Sequence, residues 1–268
     1  MKYRDAISQS IVQAMKADPK VLLLGEMVTD PKHVFNTTAL AHEHFPSRVI
    51  ETPVSESMIT GACVGLALEG WRPILVHARA DFSPLSFSHL INTAAKIPFL
   101  HRRPLPFVMR VIVGRGWGQG PVHSQSFHHM LAQVPGLNVF VPSPGRYDFL
   151  LGTALRSRQP SVIVEPRRLY ETEQSEAAGC VVSPSDIVIA CIGDTILDGH
   201  IAHNTLRKMR IRASVLPWED LQAPHPEQPW SDGVPVLMAD MAPRRPEHGV
   251  VAPPFTPQGV SQSASREL

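Results

Sequence analysis

This chain of 268 residues has few cysteines, a net charge close to zero and no long apolar segment. Its three cysteines, Cys63, Cys180 and Cys191, form neither an even set for disulfides nor the spacing of a metal site, which favours free thiols and a reducing compartment. The formal charge of +1 offers no overall attraction for nucleic acid or an anionic membrane surface. No apolar run is long enough to cross a bilayer, and the N-terminus lacks a signal-peptide pattern. We therefore expect a soluble, cytoplasmic protein with neither a nucleic-acid nor a membrane partner.

The chain does have apolar content, 43% of its residues, in short runs that alternate with helical patterns. This alternation predicts an α/β fold, in which a mostly parallel sheet carries helices on both faces. The predicted strands are Val21–Leu24, Arg48–Ile50, Pro73–Val76, Phe107–Val113, Val139–Val141, Val162–Val164, Asp186–Ile192, Ile211–Leu216 and Val234–Ala239. Predicted helices include Ser57–Glu69, the crossover helix Pro84–Ile97 and Ser124–Ala132.

Composition also predicts how the chain divides into domains. Residues 1–170 carry the first α/β pattern, residues 171–184 are polar and typical of a linker, and residues 185–242 carry a second, smaller α/β unit. Residues 243–268 are rich in proline and serine, so we expect an irregular or disordered tail.

The segment Glu51-Thr52-Pro53-Val54-Ser55-Glu56 joins the second predicted strand to a helix rich in small residues. Pro53 interrupts helical structure between the two glutamates, so they are not expected to act as one acid pair. A glutamate in the first turn of a helix has a structural explanation, because it offsets the positive helix end. On these residues alone, Glu56 is open to both a capping and a chemical role.

Two glycine patterns follow. Gly61 and Gly65, four apart on the predicted helix, permit close backbone approach either inside the fold or across a subunit interface. The alternating glycines of residues 114–120 lack the ending of a nucleoside-triphosphate loop and the dinucleotide fingerprint. They predict a mobile loop beside a site rather than a phosphate cradle.

Three histidines stand close together after this loop. We expect the adjacent His128 and His129 to point to different faces of a helix, and no carboxylate shares their spacing, so a zinc site is not predicted and we assign no metal ligand. His123, at the transition from loop to helix, can reach a cleft and titrate near neutral pH. A serine hydrolase is not indicated, because no Gly-x-Ser-x-Gly motif occurs.

Five motifs occur in a fixed order along residues 1–170. They are Leu22-Leu23-Leu24-Gly25-Glu26, then Val49 to Glu56, then Gly61 to Gly70 with Arg72-Pro73, then His123-Ser124-Gln125-Ser126-Phe127, and finally Pro135-Gly136-Leu137-Asn138-Val139 with Val141-Pro142-Ser143-Pro144. Together they resemble the β subunit of the thiamine-diphosphate-dependent first component of 2-oxo-acid dehydrogenase complexes, shared by pyruvate, branched-chain and acetoin dehydrogenases. The resemblance implies a pyrimidine-binding domain followed by a reduced transketolase-type C-terminal domain, shorter than is usual in the family.

The resemblance also implies roles for individual residues. Glu56, which ends Thr-Pro-Val-Ser-Glu, matches the glutamate that hydrogen-bonds the cofactor's aminopyrimidine and activates it, a task that glutamine would not perform. Glu26 and Val54 match positions near the cofactor. Phe82 matches the aromatic that packs on the pyrimidine, and His123 a histidine near the reacting carbon that is implicated in acyl transfer.

This chain departs from the family pattern just before Phe82. Ala78 matches a cofactor-pocket position that normally holds a long apolar side chain, and Arg79 adds a charge beside it. We therefore expect altered cofactor affinity and substrate choice.

In this family the diphosphate and its Mg²⁺ are bound mainly by a partner α subunit. The resemblance therefore implies an α2β2 heterotetramer, active only with an α-type chain, and a lipoyl-bearing acyltransferase as a further partner. Three activities stay open: oxidative decarboxylation of a 2-oxo acid with acyl transfer, a carboligase or split transketolase of a specialised pathway, and a degenerate, non-catalytic scaffold subunit.

Overall fold

The computed structural model describes residues 1–114, 120–182, 184–222 and 234–240. Within them the strands are β1 (Val21–Gly25), β2 (Val49–Glu51), β3 (Arg72–His77), β4 (Val108–Val113), β5 (Asn138–Phe140), β6 (Ser161–Pro166), β7 (Ile187–Cys191), β8 (Ala213–Pro217) and β9 (Val236–Ala239). They form a six-stranded sheet in the order β2-β1-β3-β4-β6-β5 and a three-stranded sheet in the order β8-β7-β9. The observed ends of each strand differ from the predicted ends by two residues or fewer.

All the strand pairs of both sheets are parallel. Parallel neighbours require a crossover between them, and helices fill that role here. The α helices are α1 (Tyr3–Ala17), α2 (His33–Asn36), α3 (Ala39–His44), α4 (Glu56–Leu68), α5 (Ile97–Leu100), α6 (His128–Ala132), α7 (Tyr147–Arg156) and α8 (Thr195–Lys208). The predicted α/β fold with a mostly parallel sheet is therefore confirmed.

Two apolar cores cover the two faces of the large sheet. Leu23 and Ile74 face the core that includes α1 and α7, whereas Leu24 and Leu75 face the core that includes α4. This alternation follows from the two-residue period of side chains along a strand. Because both faces are covered, only the strand ends are available to form a site.

The predicted crossover helix Pro84–Ile97 is wrong as a single helix. The chain instead forms a 3₁₀ helix at Ala80–Ser86, a π-helix at Ser88–Ala94 and then α5. Pro84 lies within the 3₁₀ segment and Pro98 in the first turn of α5, and neither has a backbone N–H for an uninterrupted ladder. The predicted helix Ser124–Ala132 is also shorter, since α6 begins only at His128.

A buried ion pair joins two strands within the large sheet. The Arg110 guanidinium of β4 donates to Glu165 of β6 through Nε at 2.6 Å and Nη2 at 2.9 Å, and both side chains are fully buried. The hydroxyls of Tyr147 and Tyr170 each donate to the same carboxylate at 2.6 Å. Burial disfavours the charge of Arg110, but Glu165 outweighs that effect and raises the pKa of the guanidinium well above its usual range.

Some predictions concern parts of the chain outside the description above. Most of the glycine loop, residues 115–119, and the predicted tail, residues 243–268, lie outside the described residues. None of the helices in the described part of the chain combines the length and apolar character that crossing a bilayer requires.

Candidate functional site

The carboxyl ends of four adjacent parallel strands define one edge of the large sheet. Glu26 follows β1, Glu56 follows β2, Ala78 follows β3, and the turn that contains His123 follows β4. In parallel α/β sheets this edge is where ligands bind, because the loops there converge. The topology therefore gathers residues that lie far apart in sequence.

Glu56 is the first residue of α4 and is only 6% exposed. Its backbone oxygen accepts hydrogen bonds from Thr60 Oγ1 at 2.7 Å and from Ser86 Oγ at 2.8 Å, which fixes the start of the helix against the following segment. Among the described residues, no hydrogen bond or ion pair engages the Glu56 carboxylate. The structure thus holds a buried carboxylate at a helix N-terminus and leaves its oxygens to a ligand.

Glu26 is the second carboxyl group at this edge. Burial raises its pKa to about 7, and the charges of Glu56 and Glu51 add to the rise, while a hydrogen bond from the Ser55 backbone opposes it. Glu26 Oε1 is buried with no hydrogen-bond partner. At neutral pH this carboxyl is therefore poised between its charged and neutral forms, and in the neutral form it can donate a proton.

Glu51 has a structural role beside this pair. Its carboxylate accepts the backbone N–H groups of Met27 at 2.6 Å and Thr29 at 2.7 Å, and the Thr29 hydroxyl at 3.0 Å. These bonds hold the turn after β1 against the end of β2. Gly25 is required at the end of β1, because a Cβ there would collide with the Val76 carbonyl oxygen.

Phe82 and His123 meet in an edge-to-face contact, with ring centroids 5.8 Å apart. Phe82 is 40% exposed, whereas Nδ1 of His123 is buried and has no hydrogen-bond partner. Asp81 holds the segment that follows His123, because its Oδ1 accepts the backbone N–H of Gln125 at 2.9 Å and the Gln125 Nε2 at 3.3 Å. No local pattern singles out Asp81, since its partner is 44 residues away along the chain.

The end of β3 supplies small and buried side chains. Ala78 is 3% exposed, and His77 beside it is 2% exposed with neither ring nitrogen hydrogen-bonded. Burial lowers the pKa of His77 to about 4, so the ring is neutral at physiological pH. Arg79 Nη1 donates to the Ala78 carbonyl at 2.9 Å, and its guanidinium lies 5.6 Å from the centre of the Phe35 ring.

Val54 and the two glycines of α4 lie on more open surface. Val54 is 79% exposed, so no pocket of the described chain encloses it. A Cβ at Gly61 would lie 3.4 Å from the His89 ring, whereas a Cβ at Gly65 would meet nothing within 4 Å. Both distances allow a Cβ, so packing within the described chain does not require glycine at either position.

The expectation that His128 and His129 point to different faces is wrong. Their ring centroids lie 4.2 Å apart, and Nε2 of each ring is hydrogen-bonded to the carboxylate of Asp240. The short helix α6 begins at His128, and tertiary contact with the residue after β9 brings the two rings to one carboxylate.

Two cavities elsewhere in the described structure are not lined by the residues above. One of about 520 Å³ lies between α1 and α7, with Gln9, Gln13 and Asp148 in its wall. The other, of about 390 Å³, has Arg4, Lys32 and Arg167 among its lining residues, and none of the sheet-edge residues contributes to either.

Comparison with known proteins identifies the fold family. Residues 1–173 match the model of the transketolase pyrimidine-binding domain. The chain belongs to this family.

Two relatives named as β subunits illustrate the likeness. The chain is 36% identical to pyruvate dehydrogenase E1 component subunit beta-2, mitochondrial, of Oryza sativa subsp. japonica. The aligned 174 residues cover 63% of this chain and 46% of that protein. It is 30% identical over 234 residues to the acetoin:2,6-dichlorophenolindophenol oxidoreductase subunit beta of Cupriavidus necator, covering 79% of this chain and 69% of that one. The chain thus spans about half the length of the pyruvate dehydrogenase subunits it matches.

A solved structure of a split-gene transketolase, an inactive β4 tetramer, shares the fold of this pyrimidine-binding family member. Its TM-score is 0.63 at 18% identity, over 82% of this chain and 72% of that one. At this identity the likeness concerns the fold alone.

Proposed function

We propose that this chain is the β-type subunit of a heteromeric thiamine-diphosphate enzyme that decarboxylates a 2-oxo acid and passes on the acyl or hydroxyalkyl unit. The names of its relatives, pyruvate dehydrogenase and acetoin oxidoreductase β subunits, support the family of reactions. The observation that carries the proposal is the Glu56 carboxylate, buried at the start of α4 without a partner in the described chain.

The residues at the sheet edge fit the pyrimidine half of thiamine diphosphate. Glu56 offers a buried carboxyl that could share a proton with a ring nitrogen, and Phe82 offers a partly exposed aromatic ring for packing. Glu26 offers a carboxyl whose pKa of about 7 allows it to donate as well as accept. When bound, thiamine diphosphate supplies the carbon nucleophile and the electron sink for loss of CO₂ from a 2-oxo acid.

Glu56 acts on a proton. With thiamine diphosphate bound, the Glu56 carboxyl would hold a proton against a ring nitrogen of the pyrimidine, and burial would strengthen that interaction by excluding water. The bonds from Thr60 and Ser86 to its backbone keep the carboxylate at a fixed point relative to the sheet. Glu26, beside it, limits the total negative charge of the site by holding a proton part of the time.

His123 acts on the substrate side of the same edge in this proposal. The Phe82 ring contacts the imidazole, and Asp81 anchors the chain two residues beyond it through Gln125. An imidazole held in this way can give or take a proton at the reacting carbon or its oxygen. Ala78 leaves more room beside the pyrimidine than the long apolar side chain typical of the family, which bears on the choice of substrate.

An α-type partner completes the site in this proposal. Three exposed apolar side chains, called the rim below, lie close to Glu56 in the sequence or on the 3₁₀ segment that packs against α4. Val54 is 79%, Met58 54% and Leu85 60% exposed. A partner that covers this rim would exclude water, contact the open side of Gly65 and supply the ligands for the diphosphate and Mg²⁺. We propose an α2β2 heterotetramer and, for the oxidative reaction, transfer to a lipoyl-bearing acyltransferase.

The domain division belongs to the same proposal. Residues 1–170 form the pyrimidine-binding domain, residues 171–184 the linker and residues 185–242 the smaller transketolase-type unit. The thiols of Cys63 and Cys191 are buried, with burial raising the pKa of each to about 12, which suits the cytoplasm where we place the protein.

The test is reconstitution with an α-type chain. We expect the purified complex to bind thiamine diphosphate with Mg²⁺ and to release CO₂ from at least one member of a 2-oxo-acid panel. Comparing a lipoyl domain with aldehyde acceptors then separates a dehydrogenase from a carboligase. A complex that forms but neither binds the cofactor nor turns over any 2-oxo acid would show a non-catalytic scaffold and overturn the proposal.

A further inference from the structure

His128, His129 and Asp240 bring three metal-ligating groups to one point. The two histidines open α6, and Asp240 follows β9, so residues 111 or more positions apart in the chain meet here. One ligand atom from each residue lies within 4.8 Å of the others. Among the described residues, these three side chains are spaced closely enough to hold a metal ion. None of them is one of the carboxylates at the sheet edge, Glu26 and Glu56.

The interatomic distances are close to those of a coordination sphere. His128 Nε2 lies 2.9 Å from Asp240 Oδ1, and His129 Nε2 is hydrogen-bonded to Oδ2. Tetrahedral zinc with bonds of about 2.0–2.1 Å separates its ligand atoms by about 3.3 Å. The separation of His128 Nε2 and Asp240 Oδ1 is therefore about 0.4 Å short of this spacing. The ligand atoms as a set lie within 4.8 Å of one another, so side-chain adjustment would bring them to one ion.

The surroundings of His128 are those of an oriented ligand. Its side chain is fully buried, and its Nδ1 lies 2.7 Å from Ser126 Oγ. With Nε2 on a metal, Nδ1 carries the proton and donates it to this hydroxyl, which is the usual outer contact of a ligating histidine. The imidazole thus needs no rearrangement to present Nε2.

Charge and access also suit a cation. Asp240 supplies a carboxylate whose side chain is 14% exposed, and both imidazoles contact it. The His129 side chain is 53% exposed, whereas His128 is buried. An ion can therefore enter from the His129 side, where water can complete its coordination.

We propose that His128, His129 and Asp240 bind one divalent transition-metal ion, with Zn²⁺ the best match to two imidazoles and a carboxylate. The ion ties the end of β9 to α6 and so joins the small sheet to the segment that follows His123. The proposal does not depend on thiamine diphosphate chemistry, because none of its ligands lies at the sheet edge.

The test is Zn²⁺ binding to the full chain after treatment with EDTA, measured by competition with a chromophoric chelator. We expect one tight equivalent, and we expect His129→Ala and Asp240→Asn each to weaken binding by at least about tenfold. The matched control is His101→Ala, which removes another exposed histidine and leaves the affinity unchanged. His129 is largely exposed, so its replacement leaves the folded chain available for the measurement.

The chain has thirteen histidines, and two further readouts distinguish Zn²⁺ binding at the proposed site from Zn²⁺ binding at the other histidines. Co²⁺ in place of Zn²⁺ gives visible absorption bands in the wild type that are lost in Asp240→Asn, and Zn²⁺ raises the Tm of the wild type and of His101→Ala only. Equal Zn²⁺ affinity in the wild type and His129→Ala, or no stoichiometric binding at all, would overturn the proposal and leave a hydrogen-bonded contact without a metal.

Discussion

The negative charge of Glu56 acts on Glu26, whose pKa is raised to about 7 by its own burial and then by that charge. The two carboxyl groups come from the end of β1 and the start of α4. At neutral pH Glu26 therefore carries its proton for part of the time, and the nearby charge of Glu56 favours the protonated form. This coupling is a property of the chain itself and can be measured without any cofactor.

Glu56→Gln should lower the pKa of Glu26 towards its ordinary value, because it removes a nearby negative charge without changing the shape of the side chain. Carbon-13 NMR titration of labelled glutamate carboxyls measures this directly. Glu69→Gln, an exposed change at the other end of α4, is the matched control and should leave Glu26 unaffected. An unchanged Glu26 titration in Glu56→Gln would show that the two groups do not interact.

Glu26→Gln should stabilise the protein at high pH. The folded-state pKa of Glu26 is raised, so the folded chain binds the proton more tightly than the unfolded chain, and wild-type stability falls as the pH rises from about 4.5 to about 7. Glutamine does not titrate and escapes this loss. The Tm difference between variant and wild type should therefore grow across that window and level off above it.

The matched control for this experiment is Glu43→Gln, which changes an exposed glutamate. Its Tm difference from the wild type should stay flat over the same pH range. A Glu26→Gln difference that also stays flat would mean that the Glu26 pKa is not raised in the folded state.

Asp81→Ala should loosen the segment after His123. The substitution removes the acceptor of the Gln125 backbone N–H. Leaving such a donor unpaired costs about 1–3 kcal/mol of stability. We expect amide hydrogen exchange at Gln125 to be at least about fivefold faster. Asp81→Asn keeps an oxygen in the same place and should restore most of the protection, whereas equal exchange in wild type and Asp81→Ala would contradict this role.

Glu165→Gln should cost about 3–5 kcal/mol of unfolding free energy, because it leaves the fully buried Arg110 charge uncompensated. Tyr147→Phe removes only one hydroxyl from the same carboxylate and should cost about 1.5–3 kcal/mol. Guanidinium denaturation of both variants gives the comparison. A Glu165→Gln variant no less stable than Tyr147→Phe would show that the ion pair does not govern this part of the core.

Local patterns were sufficient to predict the sheets. Apolar runs such as Val21–Leu24 and Phe107–Val113 are bounded by turn residues, and their hydrophobic content is what buries them. The start of α4 was predicted within one residue, because Pro53 and Ser55 mark it. The helix boundaries after Phe82 were not predicted correctly, because the irregular helices there depend on proline placement and on packing against α4.

The site was predicted only as far as motifs reach. Glu26, Glu56 and His123 lie in the ordered motifs, whereas Phe82 was predicted from the segment that departs from the family pattern. The strand order places all four candidate residues at one edge. Contacts between distant segments carried no local signal. Asp81 with Gln125 and the two histidines with Asp240 depend on tertiary packing, and no periodicity in the sequence encodes them.

The most direct test of the central claim is turnover of a 2-oxo acid by the proposed complex of this chain with an α-type chain, comparing the wild type with Glu56→Gln. We expect the variant complex to assemble and bind thiamine diphosphate, and its kcat to fall by about 10²–10⁴, the usual contribution of a positioned acid-base group. A Glu56→Gln complex that turns over at the wild-type rate would contradict the assignment of Glu56 as the cofactor-activating residue.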